Sequence, residues 1–455
     1  MDSTALFSKT PPLKLFFIAS LPGAIGMLAS ALYQTLDGVF IGQFLGDVAF
    51  AALNLAMPFV IINFSLADLI GVGSSVPISI ALGRGERKEA NNIFTCACIM
   101  IVGAGIIIGF VMFTAAPAII RAMGAEGDFA EFAVQYLRVY ALCSPVTTIM
   151  FAVDNFLRIC GYIRGSMMLN IFMSLLSGIM EYIFLGVLKW GIWGAAAATC
   201  LGMFISVLIA FIPFLRGKAL LHFCRPSFNK KMIKQTVTCG SPNFLNNIAG
   251  RITSIILNAV LVRIGGENAV SVCGVLMFAE GFIQPLMYGM CDSLQPAVGY
   301  NWGAGKYSRV RAIEKCCFTA SCIVSLAAAV VVAAIPEQIT RLFMADANSE
   351  IMEMAVIALR IFSVTFIFRW FSFATQSYML AIEKSLQASL ISVSTALVFP
   401  VILIVVLQPF GLNGLWCNFA GTAVLAGIMA AFILKKTRAE LNRPDAVRQN
   451  AQTGE

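Results

Sequence analysis

The chain has 455 residues, 59% of them hydrophobic and 12% charged, with a mean hydropathy of +0.86. A soluble globular protein carries about 25% charged residues, so a soluble enzyme with an added anchor is excluded. At about 20 residues per span there is room for roughly a dozen helices and their loops, with almost nothing left for an aqueous domain. The net charge of +8 would suggest nucleic acid in a soluble protein; here the basic residues sit mostly between apolar runs, so they report topology and no nucleic-acid partner is expected.

In chain order, the N-terminal MDSTALFSKTPPLK lacks a cleavable signal pattern, because the apolar run after Lys14 outlasts a signal core and leads into further spans. Apolar windows between charged or Gly/Pro-containing breaks predict helices over 13–44, 48–82, 91–114, 129–160, 166–188, 191–215, 232–264, 268–302, 311–335, 350–382, 386–408 and 412–434. Several exceed the minimum span, so tilting or kinking is expected. The strongly hydrophilic connection RGKALLHFCRPSFNKKMIKQ, 216–235, divides six helices from six. The parts are then 1–215, the linker 216–235, 236–434, and a polar tail 435–455 that reads as disordered.

Residues 220 positions apart match in kind. Pro22 pairs with Pro242, Gly46-Asp47 with Gly266-Glu267, Ala49 with Ala269, Gly83 and Gly85 with Gly303 and Gly305, and Gly191 and Gly194 with Gly411 and Gly414. One offset from the first helix to the sixth implies two homologous halves, and an even helix number gives them the same orientation, a parallel repeat. The N-terminus, the even-numbered loops and the tail hold 23 of the 31 Lys and Arg. That asymmetry places both termini and the linker on the cytoplasmic side.

The 13 Cys lie mostly in apolar runs and form no CxxC pair, so they read as small core residues, and the single histidine, His222, rules out His-based metal and triad chemistry. GAGKY at 303–307 has Tyr after the Lys, and Tyr300 stands where a phosphate-binding loop needs its first Gly. With no nucleophile elbow or zinc motif either, neither an enzyme nor an ATP-driven pump is expected, and no cofactor is called for.

A charged side chain inside a span costs about 2.5–3.5 kcal/mol, so each one asks for a partner, a cavity or a role. The spans hold Asp37, Asp68, Asp154, Glu181, Glu280 and Asp292, with Arg138, Arg251, Arg360 and Arg369. Asp37, Glu181 and Thr199 fall at similar depth near the outer ends of the first, fifth and sixth spans. Two carboxyls and a hydroxyl at one level suit a shared proton or an oxygen cage for Na⁺. Pro22 removes one backbone hydrogen bond from the first span and marks a candidate hinge. Glu280 and Asp292 fall opposite Val60 and Val72 in the repeat, so the charge pattern is asymmetric although the scaffold repeats.

The strings LPGAIGMLASALYQTLDGVFIGQFLG (21–46), GIWGAAAAT (191–199) and QPAVGYNWGAGKYSRVR (295–311), with GRGERKEA (83–90), resemble the multidrug and toxic compound extrusion (MATE) family, most closely its DinF-type bacterial branch. The resemblance implies an all-α polytopic membrane protein, with twelve transmembrane helices in two six-helix lobes. It also implies export of amphipathic, cationic organic compounds in exchange for H⁺ or Na⁺ by alternating access. On that branch's pattern the coupling residues fall on Asp37, Ser177, Glu181 and Thr199, which would also hold Na⁺, a second polar site on Tyr136 and Asp154, and the helix 1 hinge on Pro22. Ser177 replaces an amide and Glu181 a shorter carboxylate, which weakens the Na⁺ expectation. The seventh span offers Asn246, Asn247, Arg251 and Asn258 but no acid, favouring coupling in the first lobe. Glu280 is the candidate substrate anchor in the second lobe. The remaining expectations are a monomer in the bacterial cytoplasmic (inner) membrane, with small organic cations and the lipid bilayer as partners. A lipid or polysaccharide-precursor flippase of the wider superfamily is the alternative.

Overall fold

The computed structural model describes residues 3–344 and 349–441. A short helix α1 (Ser3–Lys9) precedes the long helices α2 (Pro12–Leu45), α3 (Asp47–Arg84), α4 (Arg87–Ala122), α5 (Gly127–Ile159), α6 (Ile163–Tyr182) and α7 (Ile192–Leu215). After the central connection come α8 (Lys230–Asp292), α9 (Gln295–Gly303), α10 (Tyr307–Ala334), α11 (Pro336–Phe343), α12 (Ser349–Ala381), α13 (Ser385–Val393), α14 (Phe399–Leu407) and α15 (Gly411–Leu441). No strand occurs among the described residues.

Ten helical stretches among these residues are long and apolar enough to cross a membrane, and two of them, of 74 and 55 residues, are long enough to cross twice. Each of those two is folded back at a glycine. Gly266 breaks α8 at φ 64°, ψ −158°, and Gly411 precedes the body of α15 at φ 70°, ψ −154°. Their counterparts 220 residues earlier, Gly46 (φ 83°, ψ −178°) and Gly191 (φ 74°, ψ −165°), take the same left-handed, otherwise extended conformation, which only glycine adopts without strain. The repeat seen in the sequence is thus also a repeat of backbone turns, and twelve spans result.

The predicted helices match within a few residues, with five differences, the first being that the helix predicted over 268–302 breaks after Asp292 and resumes at Gln295. Helix α4 runs through Pro117 to Ala122, as membrane-spanning helices tolerate an interior proline. The span predicted over 166–188 ends in a π-helical segment, Ile183–Val187, and another, Ser394–Val398, joins α13 to α14. Helix α8 begins at Lys230, inside the stretch expected to be linker, capped by Asn229, whose Oδ1 accepts from the Lys231 amide at 3.0 Å. Helix α15 continues to Leu441, beyond the expected end at 434, because Lys435, Lys436 and Arg438 favour a helix C-terminus. The remainder of the expected tail, 442–455, lies outside the described residues.

The chain forms two compact units. One takes in the chain up to Arg251 with Glu280–Cys317 and Leu380–Ser385; the other holds Ile252–Ala279, Phe318–Met379 and the chain from Leu386 on. In the first, α5 is the central helix and packs on α3, α4 and α7, while α2 packs on α6. Lipid tails are as apolar as leucine, so helices in a bilayer associate through close fit at small residues. Gly71 of α3 meets Ala152 of α5, where an added Cβ would lie 3.0 Å from the alanine methyl. Gly83 of α3 abuts the Tyr300 carbonyl of α9. Asn301 donates to the Phe7 carbonyl at 3.0 Å and so holds α1. In the second unit, Phe362 packs edge-on against Phe366 and Phe419, and Ser325 donates to the Phe366 carbonyl at 2.5 Å. Apolar side chains such as Phe110 (70% exposed) and Phe432 (72%) point outward on both units, as lipid-facing residues do.

Candidate functional site

Four helices of the first unit meet around two buried carboxyls. Asp37 lies on the C-terminal half of α2 and Glu181 near the end of α6, two residues before the π-helical turn, and the two carboxyls are neighbours within electrostatic reach. A π turn widens the helix and is common where a side chain must be aimed at a site. Glu181 is fully buried and Asp37 is 4% exposed. Tyr33, one turn before Asp37, donates its hydroxyl to Glu181 Oε2 at 3.3 Å and shares a 2.6 Å hydrogen bond with Thr199 Oγ1 of α7. With Thr199 donating to Tyr33, a line of hydroxyls runs from α7 to the carboxyl pair. No hydroxyl or amide reaches Asp37 Oδ1 or Glu181 Oε1. Two ionised carboxylates have no hydrogen to share, so these two oxygens are left as acceptors without a donor.

Tyr136 and Tyr140 of α5 flank this pair, their rings 5.1 Å apart at 41°, and Asp37 lies within electrostatic reach of both. The Tyr136 hydroxyl is buried without a hydrogen-bond partner. Ser177 stands one turn before Glu181, but its hydroxyl faces Gly202 of α7, where an added Cβ would overlap Oγ, and it too has no partner. Asp37, Glu181, Thr199 and Tyr136 are therefore brought together, while the Ser177 hydroxyl is turned into a helix contact. Tyr33 and Tyr140 complete the cluster and were not singled out from the sequence. Their signal was spacing, since each lies four residues along a helix from a predicted site residue, Asp37 and Tyr136.

Asp154 lies eighteen residues beyond Tyr136 on α5, about 27 Å along the axis, so the two do not form one site. Asp154 Oδ2 pairs with Arg158 Nη2 at 2.5 Å, while Oδ1 accepts from Ser166 at 2.5 Å and Asn170 at 2.8 Å. Arg158 Nε also donates to Ser166 at 3.1 Å, so all members of this buried network are satisfied. Between the two levels, Ser144 of α5 donates to Asn63 of α3 at 2.8 Å. Arg138, one of the arginines within a span, sits over the Phe113 ring at 5.2 Å. Glu280 is buried on α8, three to four turns past the Gly266 break.

The backbone of α2 stays helical through Pro22. Beside it, Gly23 lies so close to α8 that an added Cβ would meet the Gly289 carbonyl at 2.5 Å, and Ser20 donates to the Met290 carbonyl at 3.1 Å.

Residues 22–183 and 242–406 match the MatE family model, one match in each half of the repeat. The multidrug export protein MepA of Staphylococcus aureus is 24% identical over 436 residues, covering 94% of this chain and 95% of MepA. Among solved structures, a MOP superfamily transporter from Pyrococcus furiosus superposes with a TM-score of 0.92 at 23% identity, over 98% of this chain and 99% of that one. A MATE protein crystallised with MaL6 gives 0.91 at 24%, over 96% and 98%. The twelve spans, the parallel repeat and the family match over both halves agree: the chain belongs to the MatE family of multi-pass membrane transporters.

Proposed function

We propose that the protein exports amphipathic organic cations in exchange for protons, by alternating access, across a bacterial cytoplasmic membrane with both termini inside. MepA, similar along nearly its whole length, is a multidrug export protein, which supports the substrate class. The observation that carries the coupling assignment is the buried Asp37–Glu181 pair, in which one oxygen of each carboxyl lacks a donor. A proton entering the pair removes net charge from an apolar site and completes its hydrogen bonds. Losing the proton leaves negative charge for a cationic substrate to offset. Na⁺ is the weaker candidate because Ser177, the fourth oxygen of the expected cage, faces Gly202, and Thr199 Oγ1 is engaged by Tyr33. No resident cofactor enters this scheme, and a monomer suffices because the site is built within one chain.

The test is efflux of an ethidium-like dye from proteoliposomes with H⁺ and Na⁺ gradients imposed one at a time. The proton gradient alone should drive transport in the wild type, and Asp37→Asn should abolish that drive while dye binding in detergent persists. Proton-driven efflux that survives Asp37→Asn would overturn the coupling assignment.

A further inference from the structure

The exposed side of α2 near its start forms a groove of about 600 Å³ with the beginning of α6, lined by Leu13, Lys14, Phe17, Leu21, Pro22 and Arg164 among others. Leu13, Phe17 and Leu21 are 54–60% exposed, so the groove opens outward. Two exposed cations, Lys14 and Arg164, share this otherwise apolar surface, and neither makes an ion pair among the described residues. Arg164 belongs to the first turn of α6, whose preceding Tyr162 provides no capping side chain. The free amides of that turn and the helix dipole add positive potential at the same place. Apolar lining alone would select nothing in a bilayer, since any lipid tail fits it equally well. Selectivity must come from the charged end.

We propose that this groove is a binding site for one anionic phospholipid of the cytoplasmic leaflet, its phosphate between Lys14 and Arg164 and an acyl chain along Phe17 and Leu21 against Pro22. Both cations lie on the chain's Lys/Arg-rich side, where anionic headgroups concentrate. The inference rests on the membrane-spanning fold and its orientation, not on the transport reading.

The test is native mass spectrometry of the protein from nanodiscs containing phosphatidylglycerol or only phosphatidylcholine. The wild type should retain one phosphatidylglycerol and no phosphatidylcholine. Retention should fall about fivefold for Lys14→Gln or Arg164→Gln and about twenty-five-fold for the double variant. Leu21→Trp, which fills the groove and keeps both cations, should also displace the lipid, and all variants should elute as the wild type does on size exclusion. Equal retention of the two lipids, or phosphatidylglycerol retention unchanged in the double variant, would overturn the proposal. The readout needs no transport, so failure of dye efflux would leave it standing.

Discussion

Replacing Arg158 by Gln tests whether Asp154 belongs to the fold or to the coupling machinery. The Arg158 side chain is 3% exposed and that of Asp154 10%, so the substitution leaves a buried carboxylate with only Ser166 and Asn170 as donors. Breaking a buried pair from one side costs about 3–5 kcal/mol. For a chain of 455 residues, unfolding entropy near 2 cal/mol/K per residue gives roughly 1 kcal/mol per degree, so the apparent Tm should fall by about 3–5 °C. Adding Asp154→Asn removes the stranded charge, keeps Oδ1 as acceptor for Ser166 and Asn170, and gives the introduced glutamine an amide partner. The double variant should recover most of the loss, because an ion pair replaced on both sides is often neutral. Thermal unfolding in detergent reads the stability, and dye efflux per folded molecule reads the coupling. Proton-driven efflux should persist in the double variant. A double variant no more stable than Arg158→Gln would refute the electrostatic account, and one that is stable but uncoupled would return Asp154 to the transport site.

Tyr33→Phe removes the hydroxyl that joins Thr199 to Glu181, a loss of about 1 kcal/mol that should reduce proton-driven efflux several-fold without abolishing it; a rate equal to wild type would show that the link is idle. Ser177→Ala should leave the coupling ion unchanged, since its hydroxyl faces Gly202, and a new Na⁺ dependence or a lost proton response in proteoliposomes would place it in the site. Gly289→Val should lower the apparent Tm by about 1–3 °C, because overpacking costs roughly 1–3 kcal/mol and its Cβ would fall 2.5 Å from the Ala24 Cα. Gly266→Ala should destabilise by about 1 kcal/mol or more through its positive φ alone, since nothing lies within 4 Å of an added Cβ; thermal unfolding in detergent measures both glycine variants.

Asp37 and Glu181 were legible because a carboxylate in an apolar run stands out, and their common depth followed from counting residues along helices. The side to which each side chain turns was not legible. Ser177 and Glu181 are one turn apart on α6, yet the Ser177 hydroxyl faces a glycine and the Glu181 carboxyl faces Asp37. Arg158 was hidden by its place near a helix end, where an arginine counts toward the cytoplasmic charge and its i,i+4 acid passes unnoticed. Glycine breaks at 46, 191, 266 and 411 were readable from the repeat. The π turns at 183–187 and 394–398 were not, because within an apolar run one extra residue per turn changes no pattern. Helix α11 escaped for the opposite reason: at eight residues, with Glu337 and Arg341 among them, it is too short and polar for a search tuned to spans.

Pro22 and the carboxyl pair belong to one helix held at two places. Toward its start, α2 is fixed to α8 by the Gly23–Gly289 contact and the bond from Ser20 to the Met290 carbonyl. About 15–21 Å further along, Tyr33 ties its C-terminal half to α6 and α7, with Asp37 one turn beyond. Pro22 contributes no amide, so the Ile18 carbonyl lacks its helical donor and α2 is weakest beside the fixed crossing. A helix clamped at one end and soft next to the clamp is easiest to bend there. In the proposed cycle a proton acts on that far attachment, because the Tyr33 hydroxyl donates to Glu181 Oε2 of the pair that would take the proton up. On the proposed transport reading the proline need not sense the ion: its place next to the α8 contact makes it the point at which α2 would bend when hydrogen bonding near its C-terminal end changes.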